Sequence, residues 1–374
     1  MPTGKAGAGQ LRAARVVVKC VTVTVAFLLA ASQHGSAQAS PDQANLASAP
    51  KVKKPRTGGV FFETHEPLAL TFTTNLRRIR GDKADKAPWR SATLSYAGPD
   101  GTPVVVPALA RTRGIWRLKT CEIPPIRLNL TSEATKGTLL DGLDKPKLVS
   151  FCRNDDSYEQ YVLQELQLYR IYALLTPMSH RARAVRVTYA DSASGKPFAT
   201  RHAFVMDEPD VMAARNNAQV LNLTGARAHD LESYHSALVG VFQYFIGNTD
   251  YSINGLHNAE LLQSAEGVIY PVAYDFDFSG AVNARYATVD PSLGVRQVRD
   301  RLMRGYCAEP DDFAKVFALF NSRKEAIWAL YSDPVGKLLS RRVVEDTLRF
   351  FEGFYETIND PRRAKKEILD ACRR

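Results

Sequence analysis

The stretch KLVSFCRNDDSYEQYVLQELQLYRIYALLTP (147–177) is where the chain changes from strand to helix. Asp155-Asp156-Ser157 supplies a helix start, because short oxygen-bearing side chains satisfy the free N–H groups of a first turn. Tyr158, Tyr161, Val162, Leu166, Tyr169 and Ala173 then recur at helical spacing as far as Leu175. Thr176-Pro177 closes the helix, since the residue before a proline is driven out of the helical region. Glu165 falls on the apolar stripe, where a carboxylate must find a partner or stay at an edge. Upstream, ALTFTT (69–74), SATLSYA (91–97) and VVVPALA (104–110) are short β runs broken by turns such as Gly98-Pro99-Asp100-Gly101. RGIWRLK (113–119), PIRLNL (125–130) and PKLVSF (146–151) continue that pattern. Downstream, ARAVRVTYAD (182–191) and ATRHAFVMDE (199–208) flank Ser194-Gly195-Lys196 and predict a hairpin. From Pro209 the chain is mainly helical, with one interruption between about Gly247 and Gly280. This order predicts an α+β protein with a β-rich lobe over residues 59–208 and a helical lobe over 209–374. A cleft between two such lobes is a common ligand site.

The 374 residues are 45% hydrophobic and 24% charged, which excludes collagen-like, coiled-coil and wholly disordered chains. The formal net charge of +10 overstates the basicity. Residues 1–39 hold Lys5, Arg12, Arg15 and Lys19 and no acid, and they read as an export signal. A basic start is followed by an apolar stretch from Val16 to Ala31 and then Ala37-Gln38-Ala39, a small-residue cleavage pattern. The stretch is shorter than the ~20 residues a membrane-spanning helix needs, so no stable span is expected after cleavage. Residues 40–58 (SPDQANLASAPKVKKPRTG) lack periodicity and read as a tether. The remaining positive charge is mild, so a nucleic-acid partner is not expected.

Cleavage also removes Cys20, leaving Cys121, Cys152, Cys307 and Cys372. An even count in an exported chain favours disulfides, and no C-x-x-C or C-x-x-H spacing offers a zinc site. Four cysteines allow three connectivities. Proximity favours Cys121–Cys152 and Cys307–Cys372.

The helical region is interrupted by GNTDYSINGLHNAELL (247–262) and GVIYPVAYDFDFSG (267–280). The polar run Asn248, Thr249, Asp250, Asn254, His257 and Asn258 follows the apolar helix YHSALVGVFQYFI (234–246) and cannot be core. Val268, Tyr270, Val272 and Tyr274 alternate as a strand ending in Asp275-Phe276-Asp277. On a continuing strand both carboxylates would share a face, where two like charges need a cation or a proton between them. Carboxylates and amide oxygens are hard donors, suited to magnesium, manganese or calcium. Solvated loop-end residues forming Asx turns are the plainer alternative. Phosphoryl transfer uses this inventory: an aspartate beside the nucleophile, an amide and an aspartate on metal, and a lysine on the phosphates.

Aspartate, downstream asparagine, strand and Asp-Phe-x together resemble the catalytic half of protein-kinase-like folds. The wider run is similar to the spore-coat-protein-H kinase-like family. It comprises Arg113-Gly114, the segment 147–177, FVMDE (204–208), NTD (248–250), HN (257–258) and YDFD (274–277). The resemblance spans residues 111 to 280 and implies a two-lobed protein-kinase-like fold. It implies Asp250 as catalytic aspartate, and Asn258 and Asp275 on a Mg²⁺ or Mn²⁺ ion with Asp277 as a further ligand. On the nucleotide side, with ATP as substrate, it implies Lys147, Glu165 in the helix that positions that lysine, and Asp207 on the hinge strand. Lys145 and Arg127 compete with Lys147, and Asn254 competes with Asn258, which lies eight residues past Asp250. The family's Gly-Asn-Ser-Ser-like turn after Arg-Gly is missing, and no G-x-G-x-x-G is present. The expected activity is an exported, periplasmic or extracellular, metal-dependent phosphotransferase that passes phosphate from a nucleotide to an unidentified protein or envelope acceptor. The rivals are a catalytically inactive kinase-like envelope binding or structural protein, and a metal-dependent phosphoesterase using Asp250, Asp275 and Asp277. Arg111, Arg113, Arg117 and Lys119, read as one strand face, form either a phosphate-facing patch or a solvated surface.

Overall fold

Alternation of apolar and polar residues drives the first half of the chain into strands whose inward side chains meet at a common centre. The computed structural model describes residues 58–84 and 86–373; the expected export signal and nearly all of the expected tether lie outside them. Seven strands close into a barrel in the order β1-β2-β3-β4-β5-β7-β6. They are β1 (Leu68–Thr74), β2 (Arg90–Ala97), β3 (Pro103–Thr112), β4 (Ile126–Asn129), β5 (Lys147–Val149), β6 (Ala182–Asp191) and β7 (Pro197–Met206). Leu70 and Phe72 of β1, Leu94 of β2, Val106 and Ala110 of β3, and Val185, Val187 and Tyr189 of β6 are all buried. This is the period-two pattern of a sheet with one filled face.

Closure depends on one long-range pairing. β1 runs parallel to β6 from Leu68↔Val185 to Thr74↔Asp191, while the other neighbouring strands of the barrel are antiparallel. The chain leaves β5, crosses through helix α4 (Asp156–Leu175) and returns as β6, and β7 hairpins back into the gap between β5 and β6. Pairing the two edges removes the open strand edges that invite association.

Nine α-helices lie among the described residues. Three short ones, α1 (Leu76–Gly81), α2 (Trp116–Thr120) and α3 (Ser132–Thr135), connect barrel strands. The rest are α4, α5 (Pro209–Arg215), α6 (Ser233–Ile246), α7 (Pro310–Ala329), α8 (Arg341–Asn359) and α9 (Pro361–Ala364). A small antiparallel sheet is made by β8 (Ala218–Val220), β9 (Ala259–Ser264) and β10 (Ile269–Ala273). Helix α4 begins at the expected cap, where the Asp155 carboxylate accepts from the Ser157 N–H at 2.9 Å. Helix α6 is buried from His235 to Ile246 and stops at Gly247, whose φ of 63° suits glycine. A Cβ there would also stand 2.9 Å from the Phe350 ring.

The two-lobed protein-kinase-like architecture is overturned. The β strands form a closed mixed barrel instead of a separate lobe, and the described residues make one compact unit. One contiguous apolar core runs from the barrel interior (Phe72, Val187) into the helices (Phe242, Phe351). The segment 113–119 is not a strand either. Gly114, at φ 94°, turns the chain and α2 follows, so Arg111 on β3 and Arg117 on α2 belong to different elements.

Both favoured cysteine pairs are joined, Cys121–Cys152 with Cα atoms 4.2 Å apart and Cys307–Cys372 at 4.9 Å. They close loops of 31 and 65 residues, each contributing on the order of 3 kcal/mol or more in the chain-entropy model. Alkylation without reduction is therefore expected to label none of these four cysteines, and prior reduction should lower the melting temperature by several degrees. Free labelling of all four in unreduced protein would contradict both bridges.

Candidate functional site

Helix α6 delivers the loop that carries Asp250, and β10 delivers Asp275 and Asp277, to a cavity of about 480 Å³. Its lining includes Arg113, Arg117, Glu165, Asp250, Asn258, Asp275 and Asp277. The structure thus brings Glu165, Asp250, Asn258, Asp275 and Asp277 together with Arg113 and Arg117, two of the four cations read as a patch, while Lys147 and Asp207 lie outside the lining.

The strand does not continue through the aspartates. β10 ends at Ala273, and Asp275 adopts a left-handed conformation at φ 61°. A non-glycine residue in that region is strained and held by its surroundings. Here the clamp is aromatic. The Asp275 N–H donates to the Tyr169 hydroxyl at 2.8 Å, and buried Phe276 packs 4.7 Å from the Tyr169 ring and 5.3 Å from Phe242. Tyr169 looked like ordinary core in the sequence; its hydroxyl instead fixes the acid-bearing turn.

Asp250 sits at the mouth, with its side chain 38% exposed. One carboxylate oxygen lies 2.8 Å from His257 Nε2, and the other accepts from the Asn258 amide at 3.1 Å. The same amide nitrogen donates to the Asp250 carbonyl at 2.7 Å. Asn258 is itself left-handed at φ 49°, and both of its bonds to Asp250 use the amide nitrogen. Asn254 donates instead to the Ala226 carbonyl and is not part of the cavity lining.

Deeper in, Arg117 is the organising cation. Its guanidinium lies 3.5 Å from Glu165 and 3.6 Å from Asp277, and it donates to the Ser150 carbonyl at 2.7 Å. Glu165 therefore pairs with Arg117 and not with Lys147, the lysine its helix is expected to position. Burial pushes the Asp277 carboxyl up to about 7, and the charge of Asp275 adds to this while Arg117 and the Tyr286 hydroxyl oppose it. Burial also raises Glu165 well above the carboxylate range, against the pull of Arg117. Burial works against the charge of Arg117, but Asp277, Tyr286 and Glu165 hold it protonated. Asp277 Oδ2 is buried without a hydrogen-bond donor.

Lys147 is buried beside this group, its ammonium 5.3 Å from the Tyr274 ring centroid. Burial and the charge of Arg113 lower its pKa to about 8, with Glu260 and Asp275 opposing. Among the described residues neither Lys147 nor Arg113 is ion-paired. The competing Arg127 is bound to Glu208 at 3.0 Å, and Lys145 lies beside Asp144. Asp207 does not reach the cavity. It is buried among His180 Nδ1 at 3.0 Å, Arg181 Nε at 3.2 Å and Arg215 at 3.4 Å. His180 in turn meets Glu260 of β9 at 3.0 Å, so Asp207 ties the end of β7 to the small sheet.

Among the described residues no three His, Cys, Asp or Glu side chains are grouped to hold a metal ion by themselves. None of their helices is long and apolar enough to cross a membrane. No protein-family model matches the chain, and no curated protein or solved structure matches it.

Proposed function

We propose that the cavity is a divalent-metal-dependent phosphoryl-transfer site in an exported protein. One observation carries this reading: the same cavity sets Arg113, a cation with no ion pair among the described residues, opposite the clustered oxygens of Asp275, Asp277 and Asn258. Arg113 provides the seat for an anion, and Lys147, buried and outside the lining, adds positive charge near it. Asn258 Oδ1, Asp277 Oδ2 and the Asp275 carboxylate are hard donors that suit a Mg²⁺ or Mn²⁺ ion. Magnesium commonly takes only one or two carboxylates, with substrate phosphates and water completing its shell. That habit fits a site without a three-acid cage. A metal–nucleotide complex such as Mg-ATP joins the two requirements, because it presents negative phosphates to the cations and a hard cation to the oxygens. When bound, the metal would neutralise charge on the transferring phosphoryl group. Asp250 stands at the mouth, where an acceptor hydroxyl would enter, and is oriented by His257 and Asn258. The two disulfides favour an oxidising compartment, which supports export.

Calorimetric titration of ATP with and without magnesium or manganese tests the reading. Asp275→Asn should abolish metal-dependent nucleotide binding, while Asp277→Asn should weaken it less, because Arg117 already neutralises part of that charge. Wild-type binding by both variants would remove the two aspartates from any metal site. Metal binding with no nucleotide dependence would point to a phosphoesterase.

A further inference from the structure

A second groove, sharing no lining residue with the cavity, lies between α1, the Cys121–Glu122 segment and the β6–β7 turn. We propose that it binds a soluble polymer bearing repeated phosphate or sulfate groups. Its lining carries Arg77, Arg80, Lys83 and Lys196, and among the described residues none of the four is ion-paired. The two acids of the lining, Asp191 and Glu122, leave the four cations with a net charge of +2, and neither acid is ion-paired to a lining cation. Asp191 is spent on backbone, its carboxylate accepting from the N–H groups of Leu76 and Ser194 and from the Ser194 hydroxyl. Glu122 lines the groove without pairing to any of the cations.

Two of the cations are held in place by built contacts. Arg80 Nε donates to the Glu122 carbonyl at 3.1 Å, and its guanidinium lies 4.5 Å from the Phe198 ring centroid. Lys83 Nζ donates to the Cys121 carbonyl at 3.2 Å. Both carbonyls belong to the segment tied down by the Cys121–Cys152 bridge and by the Glu122 N–H bond to the Cys152 carbonyl. Partial burial and the charge of Arg80 lower the pKa of Lys83, so these like charges are crowded in the free protein. An anion relieves that crowding.

The groove volume of about 660 Å³ exceeds what one phosphate fills, which favours several charged groups in series. A soluble chain is favoured over a bilayer. None of the exposed large apolar residues among the described ones, such as Ile115, Val105 or Val268, lines the groove to anchor it in lipid.

Fluorescence anisotropy with labelled long-chain inorganic polyphosphate tests this on the full chain. Wild type should bind, with affinity falling steeply as salt rises. Arg77→Gln/Lys196→Gln should weaken binding roughly tenfold, since each cation on a phosphate chain adds a salt-sensitive increment. Both side chains are exposed and, among the described residues, make no side-chain hydrogen bond or ion pair, so the variant should melt as wild type does. Arg341→Gln, at an exposed position of α8, and Asp250→Ala should bind polyphosphate normally. Dextran sulfate should compete and equimolar inorganic phosphate should not. The proposal is overturned by absent polyphosphate binding, by equal losses in Arg341→Gln, or by capture on phosphatidylglycerol vesicles without binding of either polymer. Because the groove and the cavity share no residue, loss of nucleotide binding in Asp275→Asn leaves this result untouched.

Discussion

Arg117→Met is expected to destabilise the protein by about 3–5 kcal/mol at pH 8, the usual cost of removing one partner from a buried ion pair. Methionine fills much of the space but leaves Glu165 and Asp277 without the cation that lies 3.5 and 3.6 Å from them. The loss should depend on pH. The folded-state pKa of Asp277, about 7, lies above its unfolded value, so the native state retains a proton that the unfolded chain releases. Stability then falls as pH rises between roughly 4 and 7, because the slope follows the excess of protons bound by the unfolded over the native state, here negative. Removing Arg117 raises both carboxyl pKa values further and carries that decline to higher pH. Urea unfolding at pH 5.5 and pH 8 should show the smaller penalty at the acid end, where the carboxyls are neutral. Adding Glu165→Gln should recover part of the loss, a coupling that a double-mutant cycle isolates. A penalty below about 1 kcal/mol at both pH values would mean that Arg117 is solvated and does not organise the acids.

The strands were legible wherever one face is filled and the other exposed, as in Leu70-Phe72 and Val185-Val187-Tyr189. So was helix α4, because Asp155 and Pro177 mark its ends in purely local chemistry. Closure of the barrel was not legible, since β1 and β6 meet across more than a hundred residues and no local pattern encodes which edges pair. Two local readings failed for one reason, a backbone at positive φ. Gly114 turns RGIWRLK out of the sheet into α2, and Asp275 turns the chain as β10 ends. The first of these turns brings Arg117 to Glu165, a contact that alternation alone would have aimed elsewhere. The acids of the cavity could be found as a polar cluster interrupting apolar helix and strand. The arginines beside Asp250, Asp275 and Asp277 come from a segment more than a hundred residues away, and only the folded chain joins them.

Asp250→Ala is expected to lower phosphoryl-transfer turnover by roughly 10²–10⁴, the range for a positioned acid or base. Nucleotide affinity should stay near wild type, because in phosphoryl transfer an aspartate beside the acceptor acts on turnover, while phosphates and metal are held by other groups. The local structure sharpens the contrast with a merely structural role. The turn after α6 does not depend on the Asp250 side chain. Gly247 supplies the left-handed cap, and Asn248 Oδ1 accepts the Asp250 N–H at 2.9 Å. What the carboxylate does bond is His257 and Asn258, at the exposed mouth of the cavity. Its removal should cost about 1 kcal/mol or less, as for other part-exposed side-chain hydrogen bonds. Asp250→Asn sharpens the test further: it keeps an oxygen acceptor for Asn258 while losing the charge, so it should fold as wild type and still turn over slowly. Turnover or self-phosphorylation with Mg-ATP, measured beside melting curves for both variants, separates the roles. Full activity with a lowered melting temperature in Asp250→Ala would make Asp250 a loop-fixing residue and would remove the phosphoryl-transfer reading with it.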